Sequence, residues 1–189
     1  MPKDVSGKKG NPAARVTRSA GKSAKAEPVS DSSTGLEGKK APTFVLPDRE
    51  GRPVALKDLL KQGNLVLYFY PKDMTPGCTT EACGFRDRID DIRKSGAVVV
   101  GISGDSSGSH QKFTDKYALN FPLLSDSDVR VAKAYGVYKK KKLYGREFMG
   151  IERTTFLIDQ HGKIRKVFPK VKVSGHTDEI IGALTELER

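Results

Sequence analysis

The stretch Asn64–Asp87, NLVLYFYPKDMTPGCTTEACGFRD, predicts a buried strand, a loop and the start of a helix. Its first part is a continuous apolar run of β-branched and aromatic side chains, which is typical of a strand buried on both faces. After the loop, apolar residues recur with spacings of 3, 4 and 3: Ala82, Phe85, Ile89 and Ile92. This stripe predicts a helix from about Cys78 to Lys94. Extending the stripe back by four residues reaches Cys78, so we expect this cysteine to face the sheet.

Strand and helix patterns alternate along the rest of the chain. Buried-strand patterns recur at 97–103 and 154–159, and the second is followed by a turn at 160–163 and a further strand. A short strand, a turn at Gly51 and a returning strand precede them. Helical patterns cover 109–117, 128–135 and the segment from Thr177 to the C-terminus. The alternation predicts an α/β fold with a mixed central sheet flanked by helices.

The beginning of the chain differs in composition from the rest. Residues 1–40 contain no Ile, Phe or Tyr, and they carry nine Lys/Arg against four Asp/Glu. Such a segment cannot bury enough apolar surface to offset its chain entropy. We therefore predict a basic, low-complexity, disordered tail over residues 1–38 and one folded domain over residues 39–189.

The formal charge of the chain is +11, and the domain has a basic run of its own at 139–142. Such charge can attract nucleic acid or an anionic surface. However, the charge is spread out and no nucleic-acid-binding motif accompanies it, which favours a solvated tail and a solvated loop. No apolar run approaches the length of a membrane span, and no secretory signal pattern follows Met1.

Cys78 and Cys83 are the only cysteines of the chain. The predicted helix starts near Cys78, where unpaired N–H groups and the positive end of the helix dipole favour a thiolate over a thiol. The preceding pair Pro76-Gly77 suits a tight helix start that leaves N–H groups pointing at the sulfur. Cys78 is therefore a candidate nucleophile at the C-terminal edge of a central strand, where open α/β sheets place their sites.

Other interpretations of the two cysteines compete with this one. Two buried structural cysteines are the ordinary alternative, against which the Pro-Gly helix start and the position of Cys83 off the apolar stripe both count. A zinc site needs about four ligands, whereas the histidines are scattered at 110, 161 and 176. A thioredoxin-type oxidoreductase would have a Cys-x-x-Cys motif, which this sequence lacks.

The spacing of the cysteines also bears on whether they can form a disulfide. In an intact α-helix, Cα atoms five residues apart are separated by roughly 8–9 Å, and a disulfide needs about 7 Å or less. A bond between Cys78 and Cys83 therefore requires the first turns of the helix to unwind, and Gly84, a weak helix former, lowers that cost. The spacing fits a transient disulfide better than a static crosslink.

The segment Tyr70–Asp87 resembles the active-site segment of peroxiredoxins, which has the form Pro-x-x-x-Thr-x-x-Cys. The second cysteine, five residues after the first, is similar to the bacterioferritin comigratory protein, or peroxiredoxin Q, subfamily. Further segments resemble that subfamily in the same order: KKAPTFVLPDREGRPVALKDL, GISGD, FPLLSD and GIERTTFLID. The resemblance covers about residues 39–187 and does not extend to the tail. It implies a thioredoxin-like fold and a thiol peroxidase.

By position, the resemblance implies roles for five residues. Cys78 would be the peroxidatic cysteine, whose thiolate attacks a hydroperoxide and becomes a sulfenic acid. Cys83 would be the resolving cysteine that condenses with it to a Cys78–Cys83 disulfide. Thr75 matches the threonine whose hydroxyl contacts the thiolate and the peroxide, and Pro71 matches the proline that shields the pocket. Arg153 matches the arginine that holds the thiolate and polarises the peroxide.

Without the resemblance, these neighbours of Cys78 have ordinary explanations. Arg153 alone would be assigned to a surface ion pair with Glu152, Thr75 to a helix cap and Pro71 to the end of a strand. We interpret Glu81 as a structural carboxylate that suits the helix dipole.

The resemblance implies a hydroperoxide substrate and a thioredoxin or a similar dithiol as the reductant. We expect no cofactor and no metal, because sulfur carries the redox chemistry itself. We expect a monomer in the cytoplasm, with the nucleus or an organelle stroma as alternatives directed by the basic tail. The competing function is a peroxide sensor or redox relay that passes its oxidation to another protein, with association to nucleic acid through the tail.

Overall fold

The structure is a computed structural model that describes residues 33–187. Within this range the strands are β1 Val45–Pro47, β2 Pro53–Ala55, β3 Asn64–Phe69, β4 Ala97–Ser103, β5 Leu123–Ser125, β6 Tyr138–Leu143, β7 Arg146–Ile151, β8 Thr154–Ile158 and β9 Ile164–Phe168. The α-helices are α1 Leu56–Leu60, α2 Pro76–Asp87, α3 Ile89–Lys94, α4 Ser107–Tyr117, α5 Arg130–Ala134 and α6 His176–Leu187. One turn of 3₁₀ helix, Thr34–Leu36, precedes β1.

A five-stranded sheet in the order β5-β4-β3-β8-β9 forms the centre of the fold. Strands β3, β4 and β5 are parallel, whereas β8 and β9 run antiparallel to their neighbours. The predicted mixed α/β sheet is therefore confirmed. The pairs β1–β2 and β6–β7 form two separate antiparallel hairpins.

Strand β3 is central and apolar on both sides because it separates two hydrophobic clusters. Its alternate residues enter different clusters: Leu65, Leu67 and Phe69 lie on one side, and Val66 and Tyr68 lie on the other with Tyr70, which directly follows the strand. The first cluster is covered by α1 and α5, and the second by α2, α3, α4 and α6. Each fully buried apolar side chain contributes about 1.5–3 kcal/mol, so β3 is fixed in place from both faces.

The predicted apolar stripe of the helix after β3 is buried as expected, and it includes Cys78. The prediction of one continuous helix over 78–94 is wrong, because the chain leaves the helical conformation at Arg88 with φ −112° and ψ 14°. The backbone N–H of Arg88 bonds to the carbonyl of Phe85, three residues back, which is a tightened last turn. Helix α3 then resumes with Ile89 and Ile92 buried.

The basic run at 139–142 is not the solvated loop that the sequence predicts. It belongs to β6, which pairs with β7 so that Lys141 lies opposite Phe148 and Lys140 opposite Met149. Cross-strand pairing of long lysine stems with apolar side chains stabilises such a hairpin. The short elements α1 and β5 were also not predicted, and α5 is shorter than the predicted helix over 128–135.

The sequence predicts a disordered tail over residues 1–38. Residues 1–32 of this tail lie outside the described residues. Residues 33–38 contact strand β9: the N–H of Gly38 bonds to the carbonyl of Ile164, and the Glu37 carboxylate accepts the N–H of Val167. The described fold thus begins slightly before the predicted domain start at Lys39. Among the described helices, none has the length and apolar character needed to cross a membrane.

Candidate active site

Cys78 lies in the first turn of α2, directly beyond the C-terminal end of β3. Thr75 is the N-cap residue in an extended conformation, Pro76 is the first helical residue, and the N–H of Thr79 bonds to the Thr75 carbonyl. The side chain of Cys78 packs into the second hydrophobic cluster, and the residue is 1% exposed. Because the first N–H groups of a helix have no intrahelical acceptor, the sulfur lies where a negative charge is favoured.

Arg153 contacts this cysteine because of the sheet topology. Strand β8 is antiparallel to β3 and pairs Thr154 with Phe69, so the residue before β8 reaches the same edge of the sheet as the end of β3. The Nη2 atom of Arg153 lies 3.2 Å from Sγ of Cys78. A Cβ atom on Gly77 would lie 3.3 Å from that Nη2, so a glycine at 77 leaves room for the guanidinium.

Glu81 holds the other side of the same guanidinium. Its Oε2 accepts a hydrogen bond from Nη1 of Arg153, and its side chain is 2% exposed. Burial raises the pKa of Glu81 to about 7, in spite of the opposing charge of Arg153. Burial also acts to lower the pKa of Arg153, but the charges of Glu81 and Cys78 outweigh it and raise that pKa.

Sequence reasoning missed the contact of Glu81 with Arg153, although the spacing does place Glu81 beside Cys78. Glu81 follows Cys78 by three residues and therefore shares its helix face, which faces inward. The alternative pairing of Arg153 with Glu152 is wrong, because Glu152 pairs with Nζ of Lys139 at 2.9 Å.

Thr75 and Pro71 lie in the loop between β3 and α2. Thr75 is half-buried and makes no side-chain cap to the helix. Its hydroxyl donates instead to the carbonyl of Lys72 at 3.0 Å. Pro71 is exposed at the start of the loop. The structure thus brings both residues to the sheet edge that holds Cys78, but it shows no hydrogen bond from Thr75 to the sulfur.

Cys83 lies in the same intact helix as Cys78 and is half-buried. Both cysteines are free thiols. Five residues of α-helix place the two Cα atoms roughly 8–9 Å apart, so the helix in this conformation keeps the sulfurs unbonded. Helix α2 also packs closely on α6, since a Cβ atom on Gly84 would lie 3.0 Å from Oγ1 of Thr177.

A further cation, Lys141, approaches the site from the β6–β7 hairpin. Its ammonium donates to the carbonyl of Ile151, two residues before Arg153. Burial lowers the pKa of Lys141, and Cys78 and Arg153 are among the charges that act on it.

The arrangement fits a nucleophilic thiolate held between a guanidinium and a helix N-terminus. A half-buried arginine with two N–H groups in a fixed plane can stabilise charge that develops on sulfur and on a bound oxygen. Within residues 33–187, no cluster of three or more His, Cys, Asp or Glu side chains could hold a metal ion.

Known proteins resemble this chain in sequence over most of the described residues. The AhpC/TSA family matches residues 37–167. The chain is 56% identical over 147 residues to a putative peroxiredoxin Bcp of Coxiella burnetii, covering 78% of this chain and 97% of that protein. It is 49% identical over 150 residues to peroxiredoxin Bcp of Bacillus subtilis, covering 79% and 95%.

A solved structure is similar over the same region. The bacterioferritin comigratory protein of Xanthomonas campestris, studied for its alkyl peroxide reduction activity, superposes with a TM-score of 0.73 at 40% identity. The match covers 77% of this chain and 92% of that one. The predicted thioredoxin-like fold is thereby confirmed.

The chain therefore belongs to the AhpC/TSA family. Within that family it is a peroxiredoxin of the bacterioferritin comigratory protein, or peroxiredoxin Q, subfamily, and hence a thiol-dependent peroxidase. The interpretation of this chain as an enzyme is thus confirmed.

Proposed function

We propose that Cys78 is the peroxidatic cysteine of this enzyme and that Cys83 resolves its oxidised form through an intramolecular disulfide. The observation that carries the proposal is the 3.2 Å approach of Arg153 Nη2 to Cys78 Sγ. A fixed cation at that distance stabilises a thiolate, and the thiolate is the nucleophilic form of cysteine.

In the first step, the Cys78 thiolate attacks the terminal oxygen of a hydroperoxide. The S–O bond forms as the O–O bond breaks, so Cys78 becomes a sulfenic acid and the leaving alkoxide or hydroxide takes up a proton. Negative charge moves from sulfur onto the two oxygens during this step. Arg153 remains beside that charge because Glu81 holds the guanidinium from its other side.

In the second step, the Cys83 thiolate attacks the sulfenic sulfur of Cys78. The S–S bond forms, the S–O bond breaks, and hydroxide leaves and is protonated to water. Since the two cysteines are too far apart in an intact helix, the beginning of α2 unwinds before this step. Refolding of α2 follows when a reductant returns both cysteines to thiols.

The reductant we propose is thioredoxin or a similar dithiol protein, which donates two electrons by thiol–disulfide exchange. The activity studied in the Xanthomonas relative supports alkyl hydroperoxides, besides hydrogen peroxide, as substrates. Both cysteines lie in one helix, so the cycle needs no second subunit, and we propose a monomer. A reducing compartment such as the cytoplasm suits a disulfide that must be reduced each cycle.

The test is the thiol state of the protein after one equivalent of hydrogen peroxide, followed by intact mass and peptide mapping. The proposal predicts a loss of two hydrogens and a peptide linked between Cys78 and Cys83. Cys78→Ser should abolish turnover with thioredoxin. Cys83→Ser should keep the first oxidation, with a gain of one oxygen on Cys78, and should impair recycling.

Two results would contradict the proposal in different places. Peroxide turnover by Cys78→Ser would exclude Cys78 as the reacting group. A stable single-oxygen product in the unmodified chain, with Cys83 free, would exclude Cys83 as the resolving residue and would favour a sensor or relay that passes the oxidation to another protein.

A further inference from the structure

Asp73 is a buried carboxyl in the loop between β3 and α2, and the steps above do not use it. Its side chain is 3% exposed. The Tyr70 hydroxyl donates to Oδ1 of Asp73 at 2.7 Å. The Ser109 hydroxyl donates to Oδ2 at 2.7 Å, and Nδ1 of His110 lies 2.9 Å from the same oxygen. Three side-chain donors, one from the residue directly after β3 and two from α4, thus converge on one carboxylate.

The backbone of Asp73 is held as well. Its N–H donates to Oδ2 of Asp105 at 2.8 Å, and the Ser103 hydroxyl donates to that same oxygen at 2.8 Å. The Ser125 hydroxyl donates to the Asp105 carbonyl at 2.6 Å. The loop before α2 is therefore tied to the loop between β4 and α4 through both the side chain and the backbone of one residue.

This attachment maintains a strained backbone next to the site. Met74 has φ 58°, in the left-handed region that a side chain disfavours. Such a residue persists only where its surroundings determine its conformation. Met74 is fixed between Asp73 and the helix cap Thr75, whose hydroxyl bonds to Lys72.

The carboxylate itself is costly to bury, which argues for a role beyond filling space. Taking a carboxylate out of water costs several kcal/mol unless hydrogen bonds compensate. Burial acts to raise the pKa of Asp73, but the hydrogen bonds from His110, Tyr70 and Ser109 outweigh burial and hold this pKa below its usual value. The loop is thus fastened by an ionised, fully bonded group rather than by apolar packing.

We propose that Asp73 is a positioning residue for the reaction with peroxide: it fixes the loop that sets Thr75 and the first N–H groups of α2 around Cys78. The inference rests on the proposed role of Cys78. Loss of the Asp73 contacts lets Met74 relax, and the helix cap moves with it. A shift of about 1 Å in a positioning group can cost up to 10²-fold in rate.

The test measures two reactions of Cys78 in each variant, the second-order reaction with hydrogen peroxide and alkylation by iodoacetamide as a function of pH. Alkylation reports the thiolate and its accessibility, whereas the peroxide reaction also requires the fixed surroundings. Asp73→Ala should slow the peroxide reaction about tenfold or more and slow alkylation by a clearly smaller factor. Asp73→Asn, which keeps one carbonyl acceptor, should recover part of the rate.

Asp48→Asn is the matched control. Asp48 is also a buried carboxylate, it accepts two backbone N–H groups in the turn between β1 and β2, and it lies outside the β3–α2 loop. This variant should lose stability but keep the peroxide rate of its folded fraction.

Tyr70→Phe removes only the hydroxyl that donates to Oδ1 of Asp73. It therefore tests the same attachment of the loop if Asp73→Ala does not fold. It should slow the peroxide reaction by a smaller factor.

The inference is overturned if Asp73→Asn and Tyr70→Phe both keep the unmodified peroxide rate, or if peroxide and alkylation rates fall by the same factor. A failure of the proposed function gives a different result, because the unmodified protein would then show no rapid reaction of Cys78 with peroxide.

Discussion

Arg153 Nη2 lies 3.2 Å from Cys78 Sγ, although 75 residues separate the two in the sequence. Strand pairing explains the contact, because β8 begins where β3 ends. The same guanidinium bonds to Glu81, one helical turn after the cysteine. The sulfur, the guanidinium and the carboxylate therefore form one connected unit, and changing any member should affect the other two.

Arg153→Lys should slow the reaction of Cys78 with peroxide by about 10²-fold. A single ammonium cannot replace two N–H groups that point in fixed directions at Cys78 and Glu81. Stopped-flow measurement of the first oxidation provides the rate. Arg165→Lys, at an exposed ion pair on β9, is the control and should keep the unmodified rate. Equal rates in both variants would mean that charge alone, without geometry, is sufficient.

Glu81→Gln should change how stability depends on pH. The folded protein holds the Glu81 proton with a pKa of about 7, against an ordinary value of 4.5. The raised pKa of Glu81 stabilises the folded protein fully at pH values below 4.5, the ordinary pKa of this group in the unfolded chain. This stabilisation is lost as the pH rises through about 7. The variant lacks this loss, so its stability relative to the unmodified protein should rise by about 2 kcal/mol between about pH 5.5 and pH 8.5.

Urea unfolding of both reduced proteins at the two pH values measures this difference. Subtracting the free energy of unfolding of one protein from that of the other cancels the contributions of groups that titrate in both. A difference that stays constant with pH would show that Glu81 is ionised over the whole range.

Gly84→Ala should slow disulfide formation when it is made in a Thr177→Ala background. The background removes the 3.0 Å contact that a new Cβ would make with Thr177 Oγ1. Alanine then stabilises α2 by about 1 kcal/mol, or about fivefold in the unwinding equilibrium. The measurement is the rate at which the Cys83 thiol disappears after a pulse of peroxide.

Gly182→Ala tests whether helix propensity in general has this effect. A Cβ at Gly182 would meet nothing within 4 Å, and the residue lies in α6. This variant should gain similar helix propensity without slowing the disulfide step. If both alanine variants slow the step equally, unwinding of α2 is not the motion that limits it.

Lys141→Met should slow the peroxide reaction about three- to tenfold, since a nearby partly buried charge contributes on the order of 1 kcal/mol. The methionine keeps most of the apolar stem but removes the ammonium that bonds to Ile151 and acts on Cys78. Lys142→Met, at the exposed next position, is the matched control. The same rate in both variants would exclude a specific contribution of Lys141.

Much of the fold could be predicted from the sequence because its signals are local. The apolar run of β3 and the stripe through Ala82 and Phe85 identify a buried strand and a buried helix face, and the structure confirms both. The same stripe places Cys78 inward. The resemblance to peroxiredoxins added the wider set of site residues, whose roles stay predictions.

What could not be predicted depends on contacts between distant segments. Spacing alone could not connect Arg153 with Glu81, because the connection runs through the pairing of β3 with β8. The run at 139–142 has low strand propensity, and it becomes a strand only through partners such as Phe148. The break at Arg88 leaves the hydrophobic spacing intact, so the pattern gave no sign of it.

The position of both cysteines in α2 also bears on how the enzyme is inactivated. In the proposed cycle, the sulfenic sulfur of Cys78 cannot meet Cys83 until the helix unwinds, and a second peroxide can meanwhile oxidise it irreversibly to a sulfinic acid. We therefore expect the stability of α2 to set the peroxide concentration at which damage overtakes turnover. A firmer helix would hold the reactive geometry longer and would leave the enzyme more sensitive to its own substrate.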